Sequence, residues 1–91
     1  MKIVLCCEPN TPPREWREFY QKAPPRSIAI DGYVIGPPRF DPERAVLNAN
    51  HHEGVDRFST RCTCAQLAMQ IRTGLFQVFP GDEPVNIFFN D

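Results

Sequence analysis

Ten prolines punctuate this chain of 91 residues, about twice the usual ~5% share. A proline inside a helix removes a hydrogen bond and clashes with the preceding turn. The chain therefore cannot form an uninterrupted helical bundle, and its elements must be short with defined breaks. Its length allows one hydrophobic core, so residues 1–91 make a single domain. Hydrophobic residues are 42% and charged residues 23%, the balance of a globular protein.

Between the breaks, hydrophobic periodicity names the elements. Residues 2–7 form an apolar, partly β-branched run closed by Pro9, which reads as a buried strand. Thr11-Pro12-Pro13 then opens a helix, since proline is tolerated in a first turn. Trp16, Phe19, Tyr20 and Ala23 make its apolar stripe, and Pro24-Pro25 stops it. That spacing suits packing on a sheet better than a base-stacking platform. Residues 27–35 read as a second strand containing an Asp31-Gly32 step, residues 36–44 as a loop, and residues 45–50 as a third strand. Ser59 or Thr60 is expected to cap a second helix with the stripe Cys64, Leu67, Ala68, Ile71, Leu75 and Val78. Gly74 weakens its last turn. Pro80-Gly81-Asp82 turns the chain into a final strand, 85–91. The expected fold class is α/β, in the order β-α-β-β-α-β, with a mainly parallel sheet and two helices.

The net charge of −1 argues against a protein that grips a nucleic-acid backbone, while leaving room for a small basic substrate site. The early apolar run Ile3-Val4-Leu5-Cys6-Cys7 is too short for the ~20 residues of a membrane span, and Glu8 ends it before a secretory signal can form. A cytoplasmic location is expected, with no membrane partner. Cys6 and Cys7 diverge on a strand, as do Cys62 and Cys64 on a helix, so reduced thiols are expected.

Chemistry concentrates between Asp31 and Arg61. Asn50-His51-His52-Glu53-Gly54-Val55-Asp56-Arg57 lies between a strand end and a helix start, where open α/β sheets place their ligands. Imidazole and carboxylate together suit manganese, iron or zinc. Such an ion lowers the pKa of bound water and polarises a phosphoryl oxygen. Arg57 and Arg61 are the candidates for holding an anionic substrate group. Spacing alone also allows a solvated loop in which the two arginines pair with Glu53 and Asp56. A third arrangement makes Cys62 a nucleophile, with His51 or His52 as its base.

Asp31-Gly32, Phe40-Asp41-Pro42 and Asn50-His51-His52-Glu53 together resemble motifs of the DHH-type phosphoesterases and the Myg-type exonuclease-like proteins related to them. The resemblance covers about residues 27–75. It implies a metal-dependent phosphoester hydrolase with Asp31, His51 and His52 as ligands of Mn²⁺ or Zn²⁺. Asp56 and Asp91 are secondary candidates. Asn50 stands where the family has aspartate, a poorer ligand for a hard cation. The expected function is thus a divalent-metal-binding, phosphoesterase-like domain of weak catalysis. A phosphorylated small molecule or nucleotide is the expected ligand. Restoring Asn50→Asp is expected to raise metal affinity.

The alternative is a small non-enzymatic interaction module. Phe88 lies on the face of the last strand opposite Val85, Ile87 and Phe89. If both crossovers put their helices on one side, Phe88 is left uncovered. A homodimer through strand 85–91 is the corresponding expectation.

Overall fold

The computed structural model describes residues 2–79 and 83–90. Five strands and three helices follow in the order β1 (Ile3–Cys7), α1 (Trp16–Lys22), β2 (Ser27–Ile30), β3 (Arg39–Asp41), β4 (Val46–Ala49), α2 (Thr63–Thr73), α3 (Leu75–Val78) and β5 (Val85–Phe89). They build one mixed, mostly parallel sheet in the order β1-β5-β2-β4-β3. Only the β3–β4 pair is antiparallel. The α/β class stands, but the element order differs from the expected one. The expected turn at Pro80-Gly81-Asp82 lies outside the described residues.

The extra strand and the short second strand have one origin. Asp31 and Gly32 take φ of 50° and 90°, and the Tyr33 N–H donates to the Ile30 carbonyl at 3.2 Å. Two successive positive φ values are the signature of a type I′ turn, which Asp-Gly favours. The expected 27–35 strand therefore ends at Ile30. The chain folds back so that Val34 bridges Arg14. Residues 36–44, expected as loop, supply β3, which is too short to show a period in sequence. The stretch after Pro13 is extended up to Glu15, so α1 starts at Trp16. Likewise α2 starts at Thr63 with Cys62 as N-cap, three residues beyond Thr60.

The two helical layers lie on opposite faces of the sheet. From β1 to β2 the chain moves two positions along the sheet, and from β4 to β5 it moves two positions back. Right-handed crossovers in opposite directions place their helices on opposite sides. One core joins Phe19, Ala23, Tyr33 and Val34 to Ala29 and Val46 of the sheet, with Phe88 packed against it. The other joins Ile28, Leu47 and Val85 to Phe79, with Leu67 and Leu75 above. The uncovered Phe88 is thereby corrected. Its ring lies 5.6 Å from that of Phe19 and 5.5 Å from that of Tyr33. Strand β5 is also interior to the sheet, not at its edge.

The inward face of α2 is another correction. Thr63 and Gln66 are buried, whereas Cys64 and Ile71 are exposed. Polar side chains win this face because the end of β4 leaves carbonyls unpaired. Thr63 Oγ1 donates to Ala49 O at 2.6 Å, and Gln66 Nε2 donates to Asn50 O and Arg61 O at 2.7 Å each. A buried carbonyl without a donor costs ~1–3 kcal/mol, comparable to burying a small apolar side chain. No helix among the described residues is long and apolar enough to cross a membrane.

Candidate functional site

A cleft of about 460 Å³ opens at the carboxyl ends of the parallel strands, lined in part by Asp31, His52, Glu53, Arg57 and Asn90. Asp31 arrives at the rim on the type I′ turn after β2. Asn90 follows β5, and the other three come from the loop between β4 and α2. This is where ligands bind open α/β sheets.

Asn50 holds that loop in shape. Its side chain is fully buried. Nδ2 donates to Gly36 O at 2.9 Å and to Glu53 O at 2.5 Å, and Oδ1 accepts from the His52 N–H at 2.8 Å. Two donors and one acceptor are used in fixed directions, which only an amide supplies. Asn50 is therefore a structural organiser of this loop.

Of the predicted ligands, Asp31 and His52 approach each other, with His52 Nε2 3.6 Å from Asp31 Oδ1. On the other side of the ring, Arg57 Nη2 lies 2.7 Å from His52 Nδ1. An arginine only donates, so this contact assigns Nδ1 as acceptor and puts the proton of a neutral ring on Nε2, facing Asp31. His51 stacks edge-on to His52 at 5.5 Å between centroids, but it is not among the residues lining the cleft. Its Nδ1 is buried with no hydrogen-bond partner among the described residues. Asp56 turns back on its own loop, where Oδ1 accepts from the Phe58 N–H at 3.0 Å. Asp91 lies outside the described residues. Among the described residues, no three His, Cys, Asp or Glu side chains converge as a metal site.

The two arginines separate. Arg57 faces the cleft, while Arg61 lines a different hollow with Ser59, Thr60 and Gln66. Arg57 pairs with His52 in place of the carboxylates that spacing suggested. Cys62 is exposed at the start of α2, and the thiol of Cys64 is exposed too.

A second polar cluster escaped the sequence reading. Tyr33 is buried, and its hydroxyl donates to Glu8 Oε2. Arg14 completes the cluster, donating from Nε to the Tyr33 hydroxyl at 2.8 Å and from Nη2 to Glu8 Oε1 at 2.7 Å. The Tyr33 hydrogen bond and the Arg14 guanidinium hold the Glu8 carboxyl below the usual carboxylate range against the opposing effect of burial. Burial, with the carboxylate of Glu8, pushes the Tyr33 hydroxyl up to about 12. These residues are separated by up to 25 positions in the chain, and no local period links them. Compared with family models, curated proteins and solved structures, the chain gives no match.

Proposed function

We propose that the cleft at the strand ends binds a phosphorylated small molecule or nucleotide in the manner of a phosphoesterase-like domain with weak catalysis. The Asp31–His52–Arg57 row on one wall of that cleft is the observation that supports this reading. The Arg57 guanidinium keeps further N–H groups for phosphate oxygens. The His52 Nε2–H is a second donor, 3.6 Å from the Asp31 carboxylate.

Mn²⁺ or Zn²⁺ enters this reading only together with the phosphorylated ligand. Asp31 and His52 would be its two protein donors, short of the three or four of a preformed site. When bound, such an ion would supply charge to a phosphoryl oxygen.

Calorimetric titration with inorganic phosphate and with a nucleoside monophosphate tests the proposal. Loss of a charge-assisted hydrogen bond, ~1.5–3 kcal/mol, predicts binding about ten- to a hundredfold weaker in Arg57→Ala, and unchanged in Arg61→Ala. Equal binding by Arg57→Ala and the unmodified chain would refute it. Mn²⁺ is expected to tighten phosphate binding, and tightening that survives His52→Ala would remove the ion from this cleft.

A further inference from the structure

The two edges of the sheet are built differently. Strand β3 has three residues, and charged Arg39 and Asp41 flank its Phe40. Short, charged edges resist pairing with another chain. Strand β1, at the opposite edge, is the five-residue run Ile3-Val4-Leu5-Cys6-Cys7, with neither charge nor proline.

Its free side is ready for a further strand. The Val85 N–H donates to Lys2 O at 2.8 Å, and the Glu8 N–H donates to Phe89 O at 2.9 Å. Even-numbered residues thus turn their backbone groups toward β5. By the alternation of a strand, the N–H and C=O of Ile3, Leu5 and Cys7 point outward. The side chains of these same residues share the sheet face covered elsewhere by α2 and α3. There Ile3 is 58% and Leu5 67% exposed. Strands of parallel sheets are ordinarily covered on both faces.

We propose that β1 pairs antiparallel with β1 of a second copy, about a two-fold axis at Leu5. The segment is self-complementary in this direction. Leu5 meets the partner's Leu5, and Ile3 meets the partner's Cys7, each as a pair exchanging both backbone hydrogen bonds. The apolar run is flanked by Lys2 and Glu8, so antiparallel pairing sets Lys2 opposite the partner's Glu8, whose carboxylate also holds Arg14 and Tyr33 of its own chain. A parallel pairing would oppose like charges, which destabilises cross-strand neighbours. Ile3, Leu5 and Cys7 of both copies then form one continuous apolar row on the open face. The result is an isologous interface that joins two five-stranded sheets into one.

Sedimentation equilibrium at micromolar concentration, with hydrogen exchange on the same samples, tests this. The unmodified chain is expected to be a dimer whose Leu5 amide exchanges faster on dilution, while the Val4 and Cys6 amides stay protected by β5. Leu5→Lys, which opposes two like charges at the axis, is expected to be a monomer with unchanged circular dichroism. Phe76→Lys, at an exposed residue of α3, is expected to remain a dimer. A monomeric unmodified chain overturns the proposal, as does a dimer that survives Leu5→Lys or is lost equally in Phe76→Lys. So does a Leu5 amide whose exchange ignores concentration, a measurement that stands even where Leu5→Lys fails to fold.

Discussion

The side-chain amide of Asn50 ties the carbonyl of Gly36 to the carbonyl of Glu53, so that one buried residue joins two loops. The cleft wall carrying His52 hangs from this tie, because Asn50 Oδ1 also accepts from the His52 N–H. Asn50→Asp removes both donors and buries a carboxylate against two carbonyl oxygens. At ~1–3 kcal/mol for each of the two orphaned carbonyls, the expected loss is about 2–6 kcal/mol at pH 7. Urea denaturation measures it. Burial against carbonyl oxygens raises this carboxyl above its unfolded value, so the deficit should shrink as pH falls toward about 4, where a protonated carboxyl regains a donor. An Asn50→Asp variant as stable as the unmodified chain would show that this amide organises nothing.

The Glu8–Tyr33–Arg14 cluster predicts a stability plateau with an acid and an alkaline limb. Glu8 is depressed in the folded state, first through the Tyr33 hydrogen bond. Its contribution is present above the unfolded carboxyl value and is lost as pH falls through the folded one, so this limb lies below about pH 4.3. Tyr33 is raised from 10.0 to about 12, chiefly by burial. Its contribution is present below pH 10 and is lost as pH rises toward 12. Tyr33→Phe should abolish the alkaline limb and move the acid limb upward. Urea midpoints across pH read both limbs, and an unchanged profile in Tyr33→Phe would exclude the cluster as their source.

Phe88 should report on the fold rather than on association. Its ring packs against those of Phe19 and Tyr33. A phenylalanine-to-alanine change in a core costs ~3–5 kcal/mol, and partial exposure of Phe88 reduces this to about 2–4 kcal/mol. Thermal denaturation of Phe88→Ala should therefore show a midpoint lower by roughly 10 °C or more, at ~4–8 °C per kcal/mol. A wild-type midpoint would mean the aromatic cluster does not hold α1 on the sheet.

Local chemistry determined much of this molecule. The apolar runs of β1 and β5, the aromatic stripe of α1, and the strand-end position of His52 all follow from period, proline and glycine. These depend on neighbours within a turn or two, which the sequence displays directly. The direction of the second crossover decided the rest. Because β5 returns between β1 and β2, the helices take opposite faces and Phe88 becomes core. The same insertion leaves β1 as an edge with Ile3 and Leu5 exposed. Carbonyls at the end of β4 decided that Thr63 and Gln66 point inward while Cys64 points out. Arg57 rather than Arg61 reached the cleft because the loop tied by Asn50 carries it there, and α2 begins only after Arg61. Each of these outcomes rests on partners distant in the chain, and hydrophobic periodicity records only which residues prefer burial, not which partner buries them.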